Sequence, residues 1–239
     1  MSTYVYGIAR GGHPGLPEKT EGVGDPPRPV RVLTHGGLAA LVSDAPDDLR
    51  PKRRDLLAHQ DVLAEAAAGG TVLPMRFGGV SADDDAVLAV LRDREAHYLE
   101  RLDTLADKVE YNVKAFHDEE AVLHRVLIDN PELRALSQDN RAADGGTYEE
   151  RLALGERVVA AVCHREARDA GLVREALEPA AVDCRPAPEG TGPPVNLSFL
   201  VERGRAGRFT AAVDALGQDH GHLVIRVNGP LPPYSFAEE

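Results

Sequence analysis

The fold of this chain is decided by the ten residues KVEYNVKAFH at positions 108–117. Apolar and polar side chains alternate along the stretch, and the apolar set is Val109, Tyr111, Val113 and Ala115. Successive side chains of a β-strand point to opposite faces of a sheet, so the alternation predicts a strand with one buried and one polar face.

The elements that follow this strand have the order of a known supersecondary unit. A helical segment spans about 118–177, and Thr147 to Glu150 matches a capping box that opens its long last helix. Two strands follow over 182–186 and 195–202, and a helix and a last strand (223–227) complete the chain before its tail. This order, βαββαβ, is that of a ferredoxin-like domain with an enlarged first crossover. We therefore predict a ferredoxin-like C-terminal domain over 108–239, with a proline-rich extension over 229–239.

The residues before this strand predict a second α+β unit, a domain over 1–107 that packs against the first. Its predicted strands cover 3–10, 30–34, 38–43 and 71–78, with helices over 53–68 and from Ser81, as N-cap, to about Leu105. His35-Gly36-Gly37 predicts a hairpin turn between the second and third strands, because glycine readily takes positive φ. The fold class is therefore α+β with two packed domains.

Composition limits the classes of partner. The 239 residues carry 39 acidic and 27 basic side chains, a formal net charge of −12. This charge opposes nonspecific binding to nucleic acid and to anionic membrane surfaces. The N-terminus lacks the features of a signal peptide, and no apolar run approaches the roughly 20 residues that cross a bilayer. We expect a soluble, cytoplasmic protein that binds neither nucleic acid nor membrane.

A search for catalytic or metal-binding patterns finds none. Phosphate-binding glycine loops and a nucleophile elbow are absent from the sequence. His220 and His222 lie two residues apart, but zinc usually takes at least three protein ligands. Cys163 and Cys184 lack the spacing of a metal site and are expected to be buried thiols. The sequence predicts no enzyme, no cofactor and no catalytic or metal site.

The segment LPMRFG at positions 73–78 is the first candidate for a binding surface. Arg76 lies between Met75 and Phe77 in an otherwise apolar predicted strand. A buried guanidinium without a partner is unfavourable, so Arg76 must find one. Either it bridges helix C-termini or an acidic side chain between the two predicted domains, or it presents its donors to the carboxylate or carbonyl groups of a partner protein.

The tail GPLPPYSFAEE at positions 229–239 is the second candidate. Its prolines cannot continue a helix or donate hydrogen bonds within a central strand. Leu231, Tyr234 and Phe236 are more apolar than a solvated tail requires. The tail therefore docks either on its own domain or on a partner, and the sequence leaves both possibilities open.

Five stretches in order give the chain its resemblance to the GvpL/GvpF family of gas vesicle proteins. They are YVYGI (4–8), LPMRFG (73–78), VEYNVK (109–114), NLSFLV (196–201) and GPLPPYSF (229–236). The match covers nearly the whole chain. One departure is Leu231, which stands where the family usually has tryptophan, so apolar volume is kept but a specific indole contact is not.

The resemblance implies a non-enzymatic accessory or minor structural protein required for gas vesicle assembly. Such a protein would bind the hydrophobic shell protein GvpA and other accessory gas vesicle proteins, in the cytoplasm and at the vesicle. An exposed strand edge or an apolar groove would hold the partner. The candidate partner-binding residues are Leu73, Met75, Arg76, Phe77, Leu231, Pro232, Pro233, Tyr234 and Phe236.

A different class of function remains open from the residues alone. An α+β protein of this kind could instead bind a small molecule, or act on one, in a cleft between its two halves, because the same fold hosts many functions.

Overall fold

Two β-sheets organise the chain in a computed structural model that describes residues 1–14, 20–143, 145–186 and 193–237. The architecture is a mixture of helix and sheet, as predicted. The chain forms two compact units. The first unit contains Met1–Glu110, Glu202–Gly204 and the residues from Gly229 onward, and the second contains Tyr111–Val201 and Arg205–Asn228. The tail, predicted as an extension of the C-terminal domain, thus belongs to the first unit.

The first sheet is built around the N-terminal strand. Its strands are β1 (Thr3–Arg10), β2 (Arg31–His35), β3 (Leu38–Asp44), β4 (Val72–Pro74) and β5 (Val80–Ser81). The order is β2-β3-β1-β4, and β5 also pairs with β1; all these pairs are antiparallel. Gly36 takes a φ of +54° in the turn between β2 and β3, which agrees with the predicted hairpin.

The predicted strand over 71–78 is wrong beyond its first residues. β4 ends at Pro74, and the chain returns to β1 only at β5. Proline has no N–H to donate to a ladder, and Gly78 has a φ of +96°, a conformation outside any strand. Residues 75–79 therefore form a loop between two short strands, which we call the 75–79 loop.

The single helix predicted from Ser81 to about Leu105 is also wrong, because the structure has two. After α1 (Arg53–Gly69), the chain forms α2 (Asp84–Asp93) and α3 (Glu95–Thr104). Arg94 separates α2 from α3 with φ −116° and ψ 17°, outside helical geometry. The N-cap of α2 is Asp83, whose carboxylate accepts a 2.8 Å bond from the backbone N of Ala86.

The second sheet contains the predicted central strand. β6 (Lys108–His117) has the predicted bounds, and the sheet order is β7-β8-β6-β9. The other elements, in chain order, are α4 (Glu119–Asp129), α5 (Pro131–Ala142), α6 (Tyr148–Leu177), β7 (Asp183–Pro186), β8 (Val195–Glu202), α7 (Ala206–Asp219) and β9 (Leu223–Leu231).

Apolar side chains of β6 and β8 meet α7 in the core of the second unit. The ring centroid of Phe209 lies 5.1 Å from that of Tyr111 and 5.3 Å from that of Phe199. Helices α4, α5 and α6 pack around a smaller cluster that contains Val122 and Val126. Among the described residues, no helix has the length and apolar character needed to cross a membrane.

The expectation that both cysteines are buried is wrong for Cys163. Cys163 is exposed on α6, and Cys184 is half-buried in β7. The apolar pattern of α6 places other side chains, such as Val158 and Val162, against α4 and α5.

Candidate partner-binding site

An aromatic cluster on β1 lies at the base of the 75–79 loop. Tyr4 and Tyr6 are two residues apart, so they share the face of β1 that α1 covers. Their ring centroids are 4.8 Å apart; His59 of α1 stacks on Tyr6 at 5.6 Å, and Phe77 lies 6.0 Å from Tyr4. We call these four residues the aromatic cluster, and both tyrosines are fully buried.

Gly7 explains how β1 can be approached so closely. A Cβ atom at this position would lie 2.8 Å from the carbonyl oxygen of Leu73 and 2.9 Å from Cδ2 of Leu63. Such distances are far inside van der Waals contact. Glycine here lets both β4 and α1 pack against β1 next to the cluster.

A chain of hydrogen bonds ties the loop to this cluster. The backbone N–H of Gly78 donates to the Tyr4 hydroxyl at 3.3 Å, and that hydroxyl donates to Nδ1 of His59 at 2.8 Å. Nε2 of His59 donates to the carbonyl oxygen of Met75 at 3.1 Å. A carbonyl can only accept, so His59 carries a proton on Nε2, and in the neutral ring Nδ1 is the acceptor for the Tyr4 hydroxyl. Burial accordingly lowers the pKa of His59 and raises the pKa of Tyr4.

Backbone bonds to β1 fix both ends of the loop. The N–H of Met75 donates to the carbonyl of Tyr6 at 2.8 Å, and the N–H of Val5 donates to the carbonyl of Gly79 at 2.9 Å. Between these anchors Arg76 is exposed, and Met75 and Phe77 are half-buried. The expectation of a guanidinium in a buried strand is therefore wrong: the loop carries Arg76 out to the surface.

The proline-rich tail docks on its own unit. Pro232, Pro233 and Phe236 are buried, while Leu231 and Tyr234 are half-buried. Tyr234 packs against the same core as the aromatic cluster. Burial, with a contribution from the nearby Glu110 carboxylate, raises the pKa of Tyr234 to about 12.

Polar contacts hold the end of the tail. The carboxylate of Glu110 accepts two 2.7 Å bonds, one from the backbone N and one from the hydroxyl of Ser235. A guanidinium nitrogen of Arg101 donates to the carbonyl oxygen of Phe236. Glu110 is 3% exposed, so its charge depends on these donors for compensation.

The structure thus brings the segment 73–78 and the tail to one core, and their side chains differ in how far they are exposed. Leu73, Pro232, Pro233 and Phe236 are buried, whereas Met75, Arg76, Phe77, Leu231 and Tyr234 reach the surface in whole or in part. Sequence reasoning missed His59 and Glu110, which anchor the two segments. Glu110 lies on the polar face of the predicted strand, but nothing in the sequence indicated that a carboxylate there would be buried.

A second polar cluster, in the second unit, was also missed. His117 ends β6, His222 directly precedes β9, and Asp169 lies on α6; one ligand atom from each falls within 4.8 Å of the others. Arg165, one helical turn before Asp169, contacts the same carboxylate. Burial lowers the pKa of His222, which keeps its ring neutral near pH 7. We call His117, Arg165, Asp169 and His222 the buried polar cluster.

Comparison with known proteins gives one consistent family. The model of the family described as gas vesicle synthesis protein GvpL/GvpF matches residues 2–238. Gas vesicle protein F of Streptomyces sp. (strain CB03234) is 73% identical over 238 residues, covering 100% of both chains. Gas vesicle protein L2 of Halobacterium salinarum is 30% identical, covering 92% of this chain and 85% of the relative.

Solved structures agree with these relatives. The crystal structure of the gas vesicle protein GvpF from Anabaena sp. PCC7120 superimposes with a TM-score of 0.78 at 26% identity, covering 100% of this chain and 98% of the other. That of GvpF from Microcystis aeruginosa gives a TM-score of 0.73 at 26% identity, covering 100% and 99%. The chain belongs to the GvpL/GvpF family of gas vesicle synthesis proteins.

Proposed function

We propose that this protein is a non-catalytic accessory factor of gas vesicle assembly that binds the hydrophobic shell protein GvpA and other accessory gas vesicle proteins. The observation that carries the proposal is the family match over residues 2–238, together with relatives that are named gas vesicle proteins F and L. The protein acts in the cytoplasm and at the growing vesicle.

The mechanism we propose is protection of an aggregation-prone subunit. A shell subunit exposes a large apolar face before it is incorporated, and such faces associate nonspecifically. A factor that covers this face until incorporation keeps the subunit available for assembly. The formal charge of −12 helps to keep the resulting complex dispersed.

The surface we propose for this contact is the 75–79 loop together with the partly exposed residues of the tail; Phe77 and Tyr234 pack on the same core. Arg76 supplies donors for carboxylate or carbonyl groups, and the half-buried side chains of Met75, Phe77, Leu231 and Tyr234 supply apolar area. The anchoring by Tyr4 and His59 supports this choice, because a loop held in one conformation loses little entropy when it binds. Leu73, Pro232, Pro233 and Phe236 have a supporting role beneath the surface.

We also propose that the two compact units correspond to two domains and that the second is ferredoxin-like. The boundary lies near Lys108, and the residues from Gly229 onward return to the first domain. The strand order β7-β8-β6-β9, with β6 between the strands that follow it in the chain, supports this classification. The helical insertion of the first crossover is then α4 to α6.

Co-expression with an affinity-tagged shell protein tests the proposed function. We expect the chain to co-purify with the shell protein and to increase the fraction of shell protein that stays in the supernatant after centrifugation. Co-expression with an unrelated acidic protein of similar size is the control. If the chain is neither captured nor able to change that fraction, the proposed function is wrong.

A further inference from the structure

The buried polar cluster of the second unit gathers three metal-ligand side chains around one carboxylate oxygen. Nε2 of His117 lies 2.9 Å and Nε2 of His222 lies 3.0 Å from Oδ2 of Asp169. The three side chains are 8%, 9% and 1% exposed, respectively. The cluster is therefore enclosed, and each histidine directs the same ring nitrogen to the centre.

Arg165 occupies the remaining side of this carboxylate. Its Nε lies 3.0 Å from Oδ2 and its Nη2 lies 2.8 Å from Oδ1 of Asp169. Its Nη1 lies 3.0 Å from Oδ2 of Asp129, a second carboxylate at the C-terminal end of α4. The guanidinium therefore has two acidic partners and can keep one if it loses the other.

Hydrogen bonds alone do not satisfy all contacts of His222. Its Nε2 lies 3.0 Å from Nη2 of Arg165 and 3.0 Å from Oδ2 of Asp169. Arginine can only donate and a carboxylate can only accept, so Nε2 would have to accept from one and donate to the other. One nitrogen cannot do both, and one of the two contacts is therefore unfavourable in the arrangement without a metal.

We propose that His117, Asp169 and His222 form a site for a divalent transition metal, with Zn²⁺ the best match, and that Arg165 competes with the metal for Asp169. Two imidazoles and one carboxylate are a common ligand set for zinc, which completes its tetrahedron with water. Zinc bonds of about 2.0–2.1 Å place neighbouring ligand atoms roughly 3.3 Å apart. The two nitrogen–oxygen separations here are 2.9 and 3.0 Å, and all three ligand atoms lie within 4.8 Å of one another.

Metal binding would remove the conflict at His222. Both Nε2 atoms would then present lone pairs to the ion, and Arg165 would keep its ion pair with Asp129. Among the described residues, Nδ1 of His117 has no hydrogen-bond partner, although metal-bound histidines usually donate this N–H. Loss of such a contact weakens metal binding by about 10- to 100-fold, so we expect a site of moderate affinity.

This proposal does not depend on the proposed function, and it departs from the expectation that the chain has no metal site. The three ligands come from positions 117, 169 and 222, so no sequence spacing could indicate them. His220, paired with His222 in the sequence search, is not part of the set.

Cobalt spectroscopy on the full-length chain tests the site. Untagged protein is stripped with a chelator and titrated with Co²⁺, whose visible absorption is intense only in tetrahedral sites, and Zn²⁺ is then added. We expect one equivalent of Co²⁺ to produce the tetrahedral spectrum and Zn²⁺ to abolish it. If the wild-type chain shows no such saturable spectrum, the proposal is overturned.

Three variants locate the site. His222→Ala is expected to bind Co²⁺ at least roughly tenfold more weakly, while His124→Ala, which removes an exposed histidine of α4, is expected to bind like wild type. Arg165→Gln is expected to bind more tightly, because the competing cation is gone.

An unchanged spectrum in folded His222→Ala would overturn the proposal. Should His222→Ala fail to fold, Arg165→Gln decides: equal or weaker binding would contradict the competition.

Discussion

At the scale of single residues, His59 holds the 75–79 loop in its position. It accepts a hydrogen bond from Tyr4 on one side of its ring and donates one to Met75 on the other. Both bonds require the neutral ring with its proton on Nε2. Protonation of Nδ1 would deprive the Tyr4 O–H of its acceptor, because the hydroxyl oxygen would then have to accept from the ring. It would also place a charge in the aromatic cluster.

This arrangement predicts a pH-dependent stability. Burial lowers the pKa of His59 in the folded protein, so below the usual histidine pKa of about 6.5 the unfolded chain binds more protons than the folded one. The free energy of unfolding should therefore fall as pH decreases through this window, by at most about 1.4 kcal/mol per pH unit for one group. Urea unfolding at pH 7.5, 6.5 and 5.5 measures the slope.

His59→Gln provides the comparison, because glutamine can also accept from Tyr4 and donate to Met75 but does not titrate. We expect the variant to lose less stability than wild type between pH 7.5 and 5.5. All other residues are the same in both proteins, so their contributions cancel in the difference. Identical slopes in the two proteins would show that His59 is not the group responsible.

At the scale of elements, the tail behaves as part of the fold of the first unit. Phe236 is 1% exposed, and Glu110 holds Ser235 through two short hydrogen bonds. An experiment that deletes the tail therefore removes core packing as well as surface. The buried residues of the tail explain why a proline-rich segment carries so much apolar area.

Substitution of the buried carboxylate should release the tail. Glu110→Gln replaces two charge-assisted acceptor contacts with a neutral amide, one end of which can only donate. We expect a loss of about 1–3 kcal/mol in the free energy of unfolding and faster proteolysis within residues 229–237. Glu156→Gln, at an exposed position of α6, is the matched control and should change neither quantity. Equal protection of the tail in both variants would argue against the Glu110 contacts as its anchor.

The start of α6 offers an independent test of local stability. Thr147 and Glu150 form a capping box, in which the Thr147 hydroxyl accepts from the backbone N of Glu150 at 3.3 Å and the Glu150 carboxylate accepts from the backbone N of Thr147 at 2.7 Å. Thr147→Ala should cost about 1 kcal/mol of stability and speed hydrogen exchange in the first turn of α6. Unchanged exchange there would mean that tertiary packing, and not the cap, holds this turn.

At the scale of the whole molecule, the sequence predicted most elements because their patterns are local. The alternation in β6, the His35–Gly36–Gly37 turn and the capping box of α6 are read from neighbouring residues, and the structure agrees with them. The break at Arg94 was missed because α2 and α3 continue one apolar spacing across it. The prediction of a strand beyond Pro74 was wrong because a segment rich in strand-forming residues can still leave its sheet, and composition does not show where it does so.

The candidate site was predicted only in part for a related reason. The motifs indicated which two segments are candidates for partner binding. Whether each side chain in them is exposed depends on contacts with residues that are distant in the sequence. Tyr4 and His59 fix residues 75–79, and Glu110 fixes Ser235, over separations that no local pattern contains. The buried polar cluster could not be predicted for the same reason, because its ligand side chains come from three elements that are distant in the sequence.

A paired capture measurement tests whether the 75–79 loop presents Arg76 to the shell protein. Arg76→Glu and Arg53→Glu each reverse one exposed charge in the first unit, and both chains should show the same unfolding midpoint as wild type. We expect at least roughly tenfold weaker capture by the shell protein for Arg76→Glu, as is usual when an interface charge is reversed, and unchanged capture for Arg53→Glu. Equal capture by both folded variants would contradict the claim and move the binding surface away from this loop.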